Sequence, residues 1–184
     1  MLTPEERREL LRIAREAIHC SLEGREFKTP APAQGVLAQP CGAFVTIRID
    51  HDLRGCIGYI ESTAPLVDVV AEVATKAAFE DPRFPPLTSA EFSRAALEVS
   101  VLSPLRVISD IEEIRVGEHG LLLELGHRRG LLLPQVAVEY GWGSEEFLEN
   151  VSRKAGLPRE AWRDPKATIY IFSAEIAEEE AKVP

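Results

Sequence analysis

Apolar residues recur every three or four positions in three parts of the chain, which predicts three amphipathic helices. The first helix follows Thr3-Pro4-Glu5-Glu6, a capping-box pattern with proline at the first helical position, and Gly24 is its predicted stop. The second is capped by Ser62 or Thr63 and ends before EDPRFPPL, residues 80–87, whose three prolines forbid further helix. The third begins at Ser144 and has acidic residues in its first turn.

Alternating residues and short apolar runs predict strands elsewhere in the chain. A first hairpin is predicted around the turn Asp50-His51-Asp52. Its two strands are AFVTIRI (43–49) and LRGCIGYIE (53–61). A second hairpin is predicted across Gly126-His127-Arg128-Arg129, which we expect to be an exposed tip. The other predicted strands, including the two arms of that hairpin, are LEVSVLSP (97–104), GLLLEL (120–125), GLLLPQV (130–136) and ATIYIFSAEI (167–176).

Strands joined by hairpin turns, with helices between them, favour an α+β fold with a mostly antiparallel sheet flanked by helices. The 184 residues fit one domain over 1–184, and the Gly-rich middle, about 105–135, is a candidate small lobe. Residues 25–42 contain several prolines and glycines and are predicted to form a long irregular loop. The acidic run Glu178-Glu179-Glu180 is predicted to be solvated.

The predicted strand LRGCIGYIE contains the chain's one Arg-x-Cys sequence. By strand alternation, the odd-numbered residues of 53–59 form a core face, whereas Arg54, Cys56 and Gly58 share the other face. Arg54 and Cys56 are then about 7 Å apart along the strand. Gly58 is expected to leave open space beside the thiol, and Gly55 to mark a bulge or a close approach. This pattern predicts a small pocket in which Arg54 binds an anionic ligand.

Cys56 is the candidate catalytic nucleophile of this pocket. The charge of Arg54 lowers the pKa of a nearby thiol, whereas burial raises it, and a carboxylate partner for Arg54 cancels most of its influence. The competing interpretation is an inert, buried Cys56 beside an Arg54 that makes a structural salt link. No histidine has a local context typical of a general base, and His51 in the adjoining turn is expected to be exposed.

Other polar residues interrupt apolar segments and are candidate binding residues. Glu98 and Ser100 alternate with the apolar residues of their predicted strand, so they would line one sheet face together. Gln135 interrupts an apolar run, and Asp81-Pro82-Arg83 forms a rigid part of the proline-rich loop. For each of them, a structural hydrogen-bonding role is the competing interpretation, because buried polar groups need partners.

Composition and charge narrow the classes of function. Apolar residues make up 45% and charged residues 28%, as in ordinary globular proteins. A net charge of −9 disfavours a protein that binds nucleic-acid backbones. The three cysteines, widely spaced and without CxxC, form neither a disulfide framework nor a zinc site, so no metal or cofactor is predicted. With no signal peptide and no membrane span, we expect a cytoplasmic protein.

The LRGCIG sequence resembles the signature of the AMMECR domain family, in the form called AmmeMemoRadiSam system protein A. The family commonly has threonine after Ile-Gly, where this chain has the bulkier Tyr59. The resemblance covers nearly the whole chain and continues, in family order, through FVTI (44–47), AFEDPRFPPL (78–87), EVSVLSP (98–104), GLLLPQVAVEYGW (130–142) and KAGLP (154–158).

The resemblance implies an α+β fold of two unequal lobes, with the LRGCIG segment near the cleft between them. It also implies association with Memo-like proteins and radical-SAM enzymes in a shared modification pathway, but no established activity. An RNA-related role has been supposed for the family, and the acidic balance of this chain counts against it.

Two hypotheses for function therefore stand side by side. In the first, Cys56 acts as a nucleophile or redox thiol while Arg54 holds an anionic group of a small ligand. In the second, the chain is a non-catalytic interaction or regulatory module for a Memo-like or radical-SAM partner, and the motif shapes its surface.

Overall fold

The computed structural model describes residues 2–30 and 35–179 of the chain. Within them lie five α-helices, α1 (Pro4–Leu22), α2 (Leu66–Phe79), α3 (Ser89–Arg94), α4 (Pro134–Tyr140) and α5 (Ser144–Lys154). The strands of this part of the chain are β1 (Ala43–Ile49), β2 (Asp52–Tyr59), β3 (Ala96–Leu102), β4 (Arg106–Ile108), β5 (His119–Leu125), β6 (Arg128–Leu132) and β7 (Thr168–Glu178). Neighbouring strands pair in antiparallel fashion, so the predicted α+β fold with an antiparallel sheet is confirmed.

The chain divides into two compact units, residues 1–102 with 175–184 and residues 103–174. In the first unit, β2, β1 and β3 are neighbours in that order, and the last residues of β7 follow β3. In the second unit, the first residues of β7 pair with β4 on one side and β5 on the other, and β6 pairs with β5. The single domain over 1–184, the small lobe within about 105–135 and the cleft at LRGCIG stay predictions.

Helix α1 begins with the predicted capping box. The Thr3 hydroxyl accepts a hydrogen bond from the Glu6 amide at 3.2 Å, and the Glu6 carboxylate accepts one from the Thr3 amide at 2.8 Å. Gly24, just past the helix end, has the positive φ of 68° that favours glycine there. The predicted start and stop of this helix are therefore both confirmed.

Helix α2 begins differently from the prediction. Its N-cap is Pro65, without a side-chain cap, and the Ser62 hydroxyl instead accepts a hydrogen bond from the Ala64 amide at 3.0 Å. The predicted cap by Ser62 or Thr63 is wrong because the chain stays non-helical until Leu66. Helices α1 and α2 pack together, and α2 also packs on β1 and β2, which places the core of the first unit under one sheet face.

The predicted solvated acidic run is wrong for Glu179. Its carboxylate pairs with Arg15 of α1 and accepts a hydrogen bond from the Leu97 amide of β3 at 3.0 Å. Glu179 thereby ties the end of β7 to a helix and to a neighbouring strand. Glu180 lies outside the described residues.

The second unit contains the predicted hairpin of β5 and β6, and its tip is exposed as expected. The arm predicted over 130–136 is a strand only to Leu132, because Pro134 starts helix α4. Helix α5 begins at Ser144 as predicted, although its N-cap is Gly143. The sequence did not predict α3 or β4, both of which are short.

Candidate functional site

A β-bulge shapes the strand that carries the LRGCIG sequence. Ile47 of β1 pairs with Gly55 of β2. The next residue, Arg48, pairs with Leu53, so Arg54 has no partner on β1. The extra residue interrupts the alternation of side chains, and Leu53 is 38% exposed rather than part of the core. The prediction that Leu53 faces the core is therefore wrong.

Gly55 lies against helix α2, on the core side of the sheet. A Cβ atom at this position would lie 2.2 Å from the carbonyl oxygen of Ala77. The predicted close approach at Gly55 is thus an approach of helix backbone to strand backbone. This packing makes Gly55 a structural glycine and turns it away from the face that carries the thiol.

Arg54 is held by three hydrogen bonds and one ring contact within its own chain. Its guanidinium donates two hydrogen bonds to the Glu91 carboxylate, at 2.9 and 3.2 Å, and a third to the Pro85 carbonyl at 2.9 Å. Its carbon Cζ lies 5.6 Å from the centroid of the Phe84 ring. With its side chain 12% exposed, Arg54 is largely shielded from solvent, and its charge is neutralised by Glu91. The carboxylate partner considered from the sequence is therefore Glu91, in α3.

The pairing has an electrostatic consequence for Glu91. The hydrogen bonds from Arg54 and from the Thr88 amide lower the pKa of Glu91 to about 2. Glu91 is also the third helical residue of α3, where it completes a capping box with Thr88. One carboxylate thus caps a helix and fixes the arginine of the motif.

The backbone of Cys56 is held by the proline-rich loop, residues 80–87. The Cys56 amide donates to Asp81 Oδ2 at 2.9 Å, and the Cys56 carbonyl accepts from Arg83 at 3.3 Å. Asp81 and Arg83 also pair with each other at 2.7 Å. Because β2 is the outermost strand of its unit, the ion pair occupies backbone groups that a further strand would otherwise use.

The same contacts set the charge state of Asp81. Its side chain is 2% exposed, and the Arg83 guanidinium, with the Cys56 and Arg83 amides, holds the pKa of Asp81 well below its usual range. The structural role that the sequence suggested for this pair is supported, since both residues lock the loop onto β2. Arg83 itself remains 51% exposed.

The Cys56 thiol is partly buried and accepts a hydrogen bond from the Thr46 hydroxyl at 3.3 Å. Burial raises the pKa of the thiol, and this effect exceeds the opposing influence of Thr46 and of the Arg83 charge. The cation that acts most strongly on the thiol is Arg83, not Arg54. At neutral pH the thiol is protonated, and the thiolate that nucleophilic attack requires is a minor form.

Phe44 occupies the space that was expected beside Gly58. Phe44 pairs with Gly58 across the two strands, and a Cβ on Gly58 would lie 2.3 Å from its ring. The expected open space is therefore wrong. Gly58 accommodates an aromatic ring from the neighbouring strand, which closes the face next to the sulfur.

The structure brings four predicted site residues onto one face of three neighbouring strands. Thr46 pairs with Cys56 on one side and with Glu98 on the other. The Ser100 hydroxyl donates to Glu98 at 3.3 Å, so these two lie together as predicted. The four residues, read from the outer strand inward, are Cys56, Gly58, Glu98 and Ser100.

Gln135 belongs to the second unit, at the start of α4. Its side-chain Oε1 is buried and has no hydrogen-bond partner within residues 2–30 and 35–179. Its assignment as a binding residue stays a prediction, as do those of the other site residues.

Among the described residues, no group of three or more His, Cys, Asp or Glu is placed to hold a metal ion. No helix in this part of the chain has the length and apolar character needed to cross a membrane. The residues that sequence reasoning missed are Thr46, Phe44 and Glu91. Of these, only Glu91 had a recognisable signal, because Thr88 and Glu91 have capping-box spacing.

Comparison with known proteins agrees with the resemblance seen in the sequence. A protein of Methanothermobacter thermautotrophicus is 46% identical over 186 residues, covering 97% of each chain. A protein of Aquifex aeolicus is 41% identical over 179 residues, covering 94% of this chain and 92% of its own. The crystal structure of the uncharacterized protein PH0010 from Pyrococcus horikoshii superposes with a TM-score of 0.88 at 42% identity, covering 94% of this chain and 90% of that one. The profile of the family described as AMMECR1 matches residues 11–177, and the chain belongs to that family.

Proposed function

We propose that this chain is a non-catalytic interaction module that docks a protein partner through the corner where β2 meets the proline-rich loop. We call this surface the β2 corner and define it by Leu53, Pro82, Arg83, Pro85 and Pro86, all of which are exposed. The observation that carries the proposal is that Arg54 and Cys56 are both engaged inside the chain.

Arg54 lacks what an anion-binding site needs. Its guanidinium already has a carboxylate partner in Glu91, and an incoming anion would have to displace that partner from a short, doubly hydrogen-bonded contact. The structural interpretation of the Arg-x-Cys sequence is therefore favoured. The arginine fixes α3 and the loop, and the cysteine backbone receives the loop.

The β2 corner has the rigidity expected of a docking surface. Asp81 and Arg83 fix one side of the loop on Cys56, and Arg54 fixes its other side through the Pro85 carbonyl. Prolines further restrict the backbone. Because the surface is ordered before binding, the corner itself loses little conformational entropy when a partner docks.

The partner that we propose is a Memo-like protein or a radical-SAM enzyme of the same cell, as the family resemblance implies. The exposed apolar Leu53 and the prolines would supply a small hydrophobic centre, and the half-exposed Arg83 a polar rim. This arrangement is typical of a modest, specific protein interface.

The proposal is tested by binding measurements with both partners encoded in the same genome. We expect Leu53→Glu and Pro86→Glu each to weaken binding of one partner at least tenfold, because each places a charge in the interface centre. Val138→Glu is the matched control, since Val138 is an exposed apolar residue outside the corner. Binding by Leu53→Glu and Pro86→Glu equal to that of the wild type would show that the corner is not the interface.

Thiol chemistry at Cys56, with a small anionic ligand, is the alternative, and two contacts favour it. The Thr46 hydroxyl and the Arg83 charge both stabilise a thiolate, although burial exceeds their effect. In a chain carrying Cys20→Ser and Cys41→Ser, we expect Cys56 to react with iodoacetamide more slowly than a free cysteine peptide at pH 7. Faster reaction, or a Cys56→Ser chain that binds its partner but loses the pathway's output, would favour the alternative.

A further inference from the structure

A groove of about 410 Å³ lies between the end of α1, residues 25–29 and one face of α2, and its lining contains none of the residues of the β2 corner. Its floor is apolar and made largely of small side chains. Ala17 and Ala71 are buried there, and Phe27 is partly buried against the core of the first unit. A floor of this kind accommodates the methylene groups of a slender ligand.

The α2 wall of the groove is one continuous stripe of the helix. The lining residues on this helix alternate between steps of three positions and one position, which places them on one face. They are Asp68, Ala71, Glu72, Thr75 and Lys76. Glu80 extends the stripe at the C-terminal end of the helix. The distance from Asp68 to Glu80 along the axis is about 18 Å, at 1.5 Å of rise per residue.

The two cations of the groove already have partners. Lys76 pairs with Glu72 at 2.8 Å and donates to the Tyr59 hydroxyl at 2.6 Å. Arg25 pairs with Glu23, which lies outside the groove lining. Neither cation is therefore available to neutralise the remaining acids of the groove.

Three carboxylates of the groove have no ion pair within the described part of the chain, those of Glu26, Asp68 and Glu80. Two of the hydroxyl hydrogens in the lining are also engaged, since Ser21 donates to the Ala17 carbonyl and Thr75 to the Ala71 carbonyl. The oxygens of these groups are left as acceptors. The groove thus presents hydrogen-bond acceptors and negative charge around an apolar floor.

We propose that this groove binds a linear aliphatic polyamine. Such a ligand has only donors in its ammonium groups, which match the acceptors of the rim, and a methylene chain that matches the floor. The separation of Asp68 and Glu80 favours a long tetra-amine over a short diamine, because only a long chain places an ammonium group near both. The proposal is independent of the proposed function, since it involves no partner protein.

The experiment is calorimetric titration of the purified chain with spermine and with putrescine, at low and at high ionic strength. We expect spermine to bind more tightly than putrescine and its affinity to fall with salt. Asp68→Asn and Glu80→Gln each lower spermine affinity about two- to fivefold, the range of an exposed charge contact. Lys76→Gln raises the affinity, because it removes a positive charge from the lining of the groove.

Two control variants separate the groove from the general attraction of a chain whose net charge is −9. Glu139→Gln and Lys166→Gln make the same charge changes at exposed positions outside the groove, and neither should alter spermine affinity. The proposal is overturned if spermine fails to bind at low ionic strength. It is equally overturned if the groove variants shift the affinity no more than their matched controls.

Discussion

The β2 corner and the groove beside α2 differ in whether their charged side chains form ion pairs. At the β2 corner, Arg54 pairs with Glu91 and Arg83 pairs with Asp81, so each charged side chain has a partner of opposite charge in its own chain. In the groove, Asp68 and Glu80 have no such partner within residues 2–30 and 35–179. The charge of the Arg-x-Cys motif is thus neutralised by its own chain, whereas the carboxylates of Asp68 and Glu80 keep an uncompensated charge in the described part of the chain.

The largest loss of stability is expected from a substitution that forces β2 away from α2. Gly55→Ala would place a Cβ 2.2 Å from the Ala77 carbonyl oxygen, so helix and strand must move apart. We expect a loss of about 3 kcal/mol or more in unfolding free energy, measured by urea denaturation. Gly143→Ala is the control, since nothing lies within 4 Å of its Cβ, and an equal loss there would refute the packing explanation.

Removing the carboxylate that binds the Cys56 amide should cause the next largest loss of unfolding free energy. Asp81→Ala leaves the Cys56 amide without its acceptor and Arg83 without its partner. We expect a loss of about 2–3 kcal/mol in unfolding free energy. Asp68→Ala, which removes an unpaired carboxylate from the groove, should cost much less. Equal losses from the two substitutions would contradict the comparison between the regions.

The pairing of Glu91 with Arg54 predicts a pH dependence of stability. The folded pKa of Glu91 is about 2, below its ordinary value of 4.5. Its contribution is therefore fully present above pH 4.5 and is lost as the pH falls through about 2. Glu91→Gln keeps the capping box but removes the charge. We expect it to lower the unfolding free energy at pH 7 by about 1 kcal/mol, after allowance for solvent screening.

Urea denaturation of wild type and Glu91→Gln at a series of pH values checks this prediction. The difference between the two chains should shrink as the pH approaches 2, where the wild-type carboxylate becomes protonated. A difference that stays constant down to pH 2 would mean that Glu91 acts through its shape alone.

The smallest changes in stability are expected from substitutions of the acidic residues in the groove. Asp68 lies in the first turn of α2 and Glu80 at its C-terminal cap, so the helix dipole favours the first charge and disfavours the second. Asp68→Asn should therefore lower the unfolding free energy slightly and Glu80→Gln should raise it slightly, each by less than about 0.5 kcal/mol. Thermal denaturation measures both changes as small shifts of the midpoint temperature. A large loss from either substitution would show that these acids have structural partners after all.

Local signals predicted much of the fold. The capping box at Thr3, the glycine stop at Gly24 and the hairpin of β1 and β2 all depend on neighbours in sequence, and the structure has them. In that hairpin the turn residues Asp50 and His51 adopt positive φ values of 52° and 72°. The short elements α3 and β4 escaped prediction, since few residues carry their periodicity.

The candidate site was predicted less well, because its geometry depends on non-local contacts. Strand alternation placed Leu53 in the core, whereas the bulge at Arg54 exposes it. An open pocket was expected beside Gly58, but Phe44 from the neighbouring strand fills that space. Neither the bulge nor the facing residue can be read from the segment itself.

The family, the antiparallel α+β class and the candidate residues of the LRGCIG segment follow from local pattern and from similarity along the chain, so the sequence alone was enough to predict them. The folded structure, by contrast, sets how those residues are used. It paired Arg54 with Glu91, 37 positions away, and Cys56 with the carboxylate of Asp81, 25 positions away. Charge partners across such separations are selected by packing, so whether LRGCIG holds a ligand or holds its own chain together depended on the fold.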